Sequence, residues 1–343
     1  MHTIHYFAGG NTAQGFFSCF QDILPAPERK RLYCIKGGPG VGKSTLMKRT
    51  AQAAEEKGHE VEYFHCSSDP GSLDGISLAQ HGMAMVDGTA PHIQDPVIPG
   101  ARDTLLSLGD FLDEEALTPY TGEIAALQKE ISGKFARCYR YLAAAEEVRA
   151  AAPAGTENET QALQEAQSWG KTLPLRGGRG TVRRLFGTAF TPEGLKTVTD
   201  FSQFERCITL DVPFGAHADL FMSEAVRQAV QRGLDTVMLL DPLNPKHIAH
   251  VLIPAHGIAL CTGRKETASA GEWLEAAAVF ELHGGGEKER GFDLNAYELL
   301  CQRAVEQLRA AKSLHDDLER FYIKHMDFAR WQRVLDKVMA SLP

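Results

Sequence analysis

Short apolar runs alternate with longer amphipathic stretches along this chain, and the order recurs. Leu32-Tyr33-Cys34-Ile35, Val61-Glu62-Tyr63-Phe64 and Met83-Ala84-Met85-Val86 are too short for helices and sit between glycine or polar clusters, so they predict strands. Cys207-Ile208-Thr209-Leu210, Thr236-Val237-Met238-Leu239-Leu240 and Ile258-Ala259-Leu260 take the equivalent places further on. A glycine loop follows the first run and opens a helix through about Glu56. Strands alternating with helices predict an α/β fold, mostly parallel sheets with helices on both faces. Each half then ends in helix. Ile124, Leu127, Ile131, Phe135, Cys138 and Leu142 step by three or four residues, as do Leu300, Ala304, Leu308, Ala311, Leu314, Leu318 and Phe321. Each series makes one apolar stripe. Such a stripe packs on a sheet or joins an antiparallel helical hairpin; a partner-binding coiled coil is the alternative.

The recurrence extends to particular residues. Phe7-Ala8-Gly9 with Gly15-Phe16 answers to Phe186-Gly187-Thr188 with Gly194-Leu195. Glu56-Lys57-Gly58 matches Gln231-Arg232-Gly233, Asp69-Pro70 matches Asn244-Pro245, and His81-Gly82 matches His256-Gly257, the last three at one constant offset. The pattern predicts a tandem duplication, with domains at 1–170 and 171–343. Ala151–Gly180 has the Ala, Gly, Pro and polar content of a solvated linker, with one short helix near Gln161–Trp169. Its basic cluster, Arg176, Arg179, Arg183 and Arg184, reads as surface charge, with an arginine finger from Arg183 or Arg184 as the sharper alternative.

Composition narrows the class. The 343 residues leave room for two domains of ordinary size, and 43% hydrophobic against 23% charged residues suits a folded, water-soluble protein. A net charge of −8 argues against nucleic acid as the partner. No apolar run has the length of a membrane span. Met1-His2-Thr3-Ile4-His5 lacks the regions of a signal peptide, and seven scattered cysteines do not form a disulfide framework. Together these predict a cytoplasmic protein.

The strongest chemical signal is Gly37-Gly38-Pro39-Gly40-Val41-Gly42-Lys43-Ser44, a G-x-x-x-x-G-K-S sequence placed between an apolar strand and a helix. Successive backbone amides must approach phosphate oxygens closely, and glycine removes the side chains that would obstruct them. The helix beginning near Lys43 turns its unpaired amides and positive dipole end toward an anion. Lys43 supplies a cation for the terminal phosphates, the Ser44 hydroxyl suits Mg²⁺, and Thr45 continues the first turn. Gly82-Met83-Ala84-Met85-Val86-Asp87 has the form of a Walker B strand, making Asp87 the second candidate Mg²⁺ ligand, with Asp69 and Asp74 as competitors. Gly88-Thr89 follows Asp87 in place of the glutamate that many ATPase motors use to orient water. His92 and Asp95, on the loop leaving that strand, are therefore the candidate bases, with a rigid proline-bracketed turn as the plainer reading.

These residues resemble the P-loop NTPase superfamily. More narrowly, Tyr6-Phe7-Ala8-Gly9-Gly10-Asn11-Thr12, Lys36-Gly37-Gly38-Pro39-Gly40, Asp87-Gly88-Thr89-Ala90-Pro91-His92 and His315-Asp316-Asp317-Leu318-Glu319 resemble an uncharacterised bacterial family of tandem P-loop ATPase-like proteins. The resemblance spans nearly the whole chain and implies ATP binding and a duplicated α/β core.

The second loop position departs from that pattern. In Leu210-Asp211-Val212-Pro213-Phe214-Gly215-Ala216-His217-Ala218-Asp219-Leu220, alignment on the proline puts His217 at the lysine and Ala218 at the serine. Alignment on the constant offset puts Ala218 at the lysine and Asp219 at the serine. Either register removes the cation and the glycine spacing, so a fold retained without triphosphate binding is expected there. His65-Cys66, His81 and the His315/Glu319 pair lack zinc spacing and are read as ordinary surface or core residues. The leading expectation is thus a Mg²⁺-dependent ATPase with one site in its first half, acting with an unknown protein or small-molecule partner. A small-molecule or nucleotide kinase, with 91–113 as its lid, and a nucleotide-sensing module with negligible hydrolysis are the alternatives. No Asn-Lys-x-Asp sequence favours GTP.

Overall fold

The computed structural model describes residues 3–152, 154–264, 272–284 and 286–343. Met1 and His2 of the amino-terminal stretch and Pro153 of the supposed linker lie outside them. The first half contributes β1 (Ile4–Phe7), β2 (Gly9–Thr12), β3 (Gly15–Ser18), β4 (Arg31–Lys36), α1 (Lys43–Glu56), β5 (Glu62–Cys66), β6 (Asp69–Leu78), β7 (Met83–Asp87), β8 (Asp103–Ser107), α2 (Glu114–Leu117) and α3 (Thr121–Ala151). There follow β9 (Gly155–Glu157), α4 (Glu159–Lys171), β10 (Val182–Leu185), β11 (Thr188–Thr191), β12 (Gly194–Thr197), β13 (Arg206–Asp211), α5 (Asp219–Gln231), β14 (Thr236–Leu240), β15 (Ile248–Ile253), β16 (Ile258–Gly263), β17 (Glu272–Leu274), β18 (Phe280–Leu282), α6 (Glu287–Ile323) and α7 (Phe328–Met339).

Two six-stranded sheets share one strand order, β1-β5-β6-β7-β4-β8 and β10-β14-β15-β16-β13-β17. All six strands expected from the apolar runs are present. The sheets are nevertheless mixed: β6 and β15 run antiparallel to both neighbours, while the remaining pairs are parallel. The connections β5–β6 and β6–β7 are too short for a crossover helix, so an antiparallel return is the arrangement they allow. Glycine, proline and aspartate in Asp69-Pro70-Gly71-Ser72-Leu73-Asp74-Gly75 hide β6 from a pattern reading.

The continuous apolar strands are explained by burial of both faces. Leu32 and Cys34 of β4 and Ala84 and Val86 of β7 enter one core, while Tyr33, Ile35, Met83 and Met85 enter another with α1. In the second sheet Ala259 and Cys261 join the same first core, and Ile258 and Leu260 pack with α4 and α5. Among the described residues, α-helices therefore cover the outer face of each sheet only. The inner faces feed a shared core centred on Tyr6, Phe7, Phe20, Leu185 and Phe186, which replaces the expected second helical layer.

A local dyad runs through that core. Phe7 and Phe186, which the expected repeat sets opposite each other, exchange backbone hydrogen bonds of 2.8 and 3.0 Å. Beside them β2 pairs with β11 at Asn11 and Phe190, which joins the two β-hairpins into one sheet of order β12-β11-β2-β3. A residue meeting its own counterpart is the mark of an isologous contact.

The helices exchange sides. α3 and α6 pack through Cys138, Leu142, Ala145, Ala304 and Leu308. Tyr120 at the start of α3 lies 5.3 Å from Phe321 near the end of α6, so the pair is antiparallel, as the stripes predict. Beyond α6, Trp331, Leu335, Val338 and Leu342 enter the core of the first sheet beside Leu46, Met47 and Ala51 of α1. Beyond α3, Ala162, Ala166 and Trp169 of α4 enter the core of the second sheet beside Phe221 and Ala225 of α5. The short helix expected near Gln161–Trp169 is thus present, but it is core and not a solvated linker. Among the described residues no helix is long and apolar enough to cross a membrane.

Candidate functional site

The glycine loop leaves β4 and ends where α1 begins at Lys43, with Gly42 in the left-handed region (φ 87°) as its N-cap. Only glycine holds that conformation without steric cost. Val41 is fully buried and anchors the loop, while Gly37, Gly38, Pro39, Gly40 and Lys43 are half-buried and Thr45 is exposed. Lys43 Nζ donates to the carbonyls of Gly37 and Gly38, both at 2.8 Å, and lies 3.6 Å from Asp87 Oδ2. Asp87 ends β7, which pairs with β4, so sheet register delivers the carboxylate to the loop. Asp87 Oδ1 accepts from Thr89 N at 2.8 Å, and Thr89 Oγ1 donates to Gly37 O at 3.1 Å. Ser44 Oγ, in the first turn of α1, accepts the amide of Leu73 from β6 at 3.0 Å.

Asp74 follows Leu73 and is buried, with Oδ2 unpaired. Burial, and then the charge of Asp87, pushes its carboxyl up to about 8. His92 Nε2 lies 3.7 Å from Asp74 Oδ2. Its ring stacks on Phe20 at 4.4 Å and meets Phe16 edge-on at 4.9 Å. Burial lowers His92 to about 4, against an upward pull from Asp87, so the imidazole is neutral at neutral pH. His92 therefore sits in an aromatic slot and not on an open loop. Of the other candidates, Asp69 accepts from Ser72 Oγ and faces Lys312 at 3.8 Å, and Asp95 pairs with Lys36 at 2.8 Å. Asp87 is the carboxylate that meets Lys43.

The carboxy-terminal helices reach this loop, which pattern reading did not anticipate. A Cβ on Gly38 would stand 3.1 Å from the Tyr322 ring, one on Gly40 2.8 Å from Ile323, and one on Gly42 2.8 Å from Trp331 Nε1. That indole nitrogen is buried without a partner, and Arg49 of α1 lies over its ring at 5.4 Å. The spacing Trp331, Val334, Leu335, Val338 carries the signal for an amphipathic α7, though not for the surface it covers.

The second loop keeps the register of the first but not its residues. α5 begins at Asp219, and Ile248 N approaches Asp219 Oδ1 at 3.4 Å as Leu73 N approaches Ser44. This is the geometry of the constant-offset register, with Ala218 opposite Lys43. Arg149, from the end of α3, donates both Nη atoms to Asp241 at 2.9 and 3.0 Å and also meets Glu146. The Gly215 Cα is covered by the carbonyls of Arg149 and Ala152, each 2.6 Å from an added Cβ. Arg183 is not near the glycine loop: it binds Glu62 of β5, separated from β4 by β6 and β7. His65 bonds His5 at 2.8 Å and His81 bonds His59 at 3.0 Å, while His315 lies 3.7 Å from Glu319.

Residues 11–82 match the family model described as Nephrocystin 3, N-terminal. That region is associated with NTPase-like proteins. The matched span contains the glycine loop, α1, β5 and β6 and is well under half of the chain. No curated protein and no solved structure matches the chain.

Proposed function

We propose that this chain is an ATP-binding P-loop protein, a Mg²⁺-dependent ATPase with one nucleotide site in its first half. The observation that carries this is the Lys43 ammonium at the glycine loop, shared between two loop carbonyls and Asp87. These are weak partners that a triphosphate's oxygens would replace with stronger charge-assisted bonds. Gly37, Gly40 and Gly42 put no side chain of their own before the backbone amides, with Ile323 and Trp331 packed against the last two, and α1 adds the field of its amino terminus. Ser44 and Asp87 present only oxygen, a donor set that fits Mg²⁺. Bound there, Mg²⁺ would neutralise charge developing on the terminal phosphate. The chain's own part is to position: Lys43 polarises the phosphate, Thr89 ties Asp87 to the loop, and Asp74 and His92 form a water-poor wall beside them.

The common strand order and the dyad at Phe7 and Phe186 support a tandem duplication of one P-loop-like unit. In the second copy the Lys43 position is Ala218, and Arg149 with Asp241 fills the space beside it, so it acts as scaffold and cover. A sensing module with very slow turnover is the second reading. It is favoured by Gly88 standing after Asp87 and by Thr89 being committed to Asp87 and Gly37. Phosphate release kinetics separate the two: steady multiple turnover with Mg²⁺ supports the ATPase, and tight binding without release supports the sensor. Lys43→Ala should remove binding and with it any turnover, and unchanged nucleotide binding in that variant would refute both.

A further inference from the structure

We propose that the second half holds a divalent transition-metal ion of the zinc class on Glu146, His217 and His247. One ligand atom from each lies within 4.8 Å of the others, and all three side chains are half-buried. They come from separate elements: the last turns of α3, the loop before α5, and the turn between β14 and β15. No run of sequence carries the spacing, and for that reason the sequence conceals it.

The surroundings have the form of a built site. His247 Nδ1 pairs with Asp219 Oδ2 at 2.6 Å, which fixes the ring and leaves Nε2 toward Glu146 Oε1 at 4.0 Å. A carboxylate holding the far nitrogen of a histidine is the usual support behind a metal ligand. Glu146 is oriented in turn, since Asn244 Nδ2 donates to Oε1 at 2.6 Å and Arg149 Nε to Oε2 at 2.8 Å. The charge count points the same way. Glu146 and Asp241 pair with the Arg149 guanidinium and Asp219 pairs with His247, so three carboxylates gather around one guanidinium. The surplus is that of one divalent cation, and half-buried charge of one sign is costly unless balanced.

Two imidazoles and a carboxylate select a borderline ion and leave a fourth position for water, whereas Mg²⁺ prefers oxygen alone. The two rings lie parallel, 3.5 Å apart and tilted by 6°, so their lone pairs run side by side. Joint ligation requires one ring to turn. His247 is held by Asp219, which makes His217 the ring that turns. Ring stacking stands in this structure for the bond both nitrogens would make to the ion. The proposal does not depend on ATP binding by the first half.

The test is titration of the chelator-treated full chain with Co²⁺ and Zn²⁺, by calorimetry and visible absorption. One equivalent is expected, with the ligand-field bands of nitrogen and oxygen donors and no thiolate charge-transfer band from the cysteines. His217→Gln and His247→Gln should each abolish it, and Asp219→Asn should weaken it by about tenfold. His315→Gln should change nothing, which separates this site from the half-buried His315, Asp316 and Glu319 group. Absence of binding at ~100 μM metal, far above a typical site of this kind, would overturn the proposal. So would full stoichiometry in the His217→Gln/His247→Gln double variant. If the histidine variants lose their far-ultraviolet circular dichroism, Glu146→Gln and Asp219→Asn carry the test, and unchanged affinity in both overturns it.

Discussion

Removing Arg183 probes how the two halves are held together. Its side chain is 12% exposed and its partner Glu62 17%. The guanidinium donates to both Glu62 oxygens at 2.8 and 3.0 Å, to Asp22 O at 2.7 Å and to Ile23 O at 2.9 Å. Burial opposes its charge, yet the Glu62 carboxylate outweighs that and holds Arg183 above its ordinary value. Arg183→Met removes the guanidinium, whose Cζ lies 6.0 Å from the centre of the Phe64 ring, and deletes all four bonds. It strands a mostly buried carboxylate and two carbonyls, a change that costs about 3–5 kcal/mol when one member of a buried pair is removed. Urea unfolding followed by tryptophan fluorescence should show a lower midpoint at an unchanged slope. The double variant Arg183→Met/Glu62→Leu should recover most of the loss, because no charge is then left unpaired. A single-variant loss under about 1 kcal/mol, the scale of an exposed pair, would refute the reasoning and make the contact incidental.

Trp331→Ala should cost about 3–5 kcal/mol as a large core truncation and should also expose the loop at Gly42; faster proteolysis within 328–343 checks it. Asp74 gives a pH dependence with a definite sign. Its carboxyl is raised from 3.8 to about 8, so below that value the folded protein keeps a proton that the unfolded chain has released. Stability therefore falls as pH rises toward 8, by up to about 1.4 kcal/mol per pH unit. His92, lowered to about 4, has the opposite sign but loses stability only as pH falls below 6.5. Melting temperatures between pH 6.5 and 8 avoid the His92 titration, and Asp74→Asn should change the slope there; an equal slope in the variant would exclude Asp74 as a source of it.

Much of the sheet framework was legible because strands buried on both faces read as unbroken apolar runs. Leu32–Ile35 and Ile258–Leu260 show this directly. β6 was not, since its first residues carry the vocabulary of turns while its burial is set by neighbours far along the chain. The glycine loop at the start of α1 and the approach of Asp87 to Lys43 were legible as local patterns. Tyr322 and Trp331 over the loop were not, because exchange of helices between halves is a property of the dyad and leaves no trace in spacing. The same holds for Glu146 and Arg149, which come from α3 of the first half to the loop of the second. Arg183 shows the reverse error: glycine-rich surroundings suggested a solvated cluster, whereas the side chain is a buried tie to Glu62.

Calorimetric titration of the full chain with a non-hydrolysable ATP analogue and Mg²⁺ tests the central claim most directly. The account predicts one site per chain, lost in Lys43→Ala and retained in His217→Gln. Two equal sites, or one site indifferent to Lys43 and sensitive to His217, would contradict it.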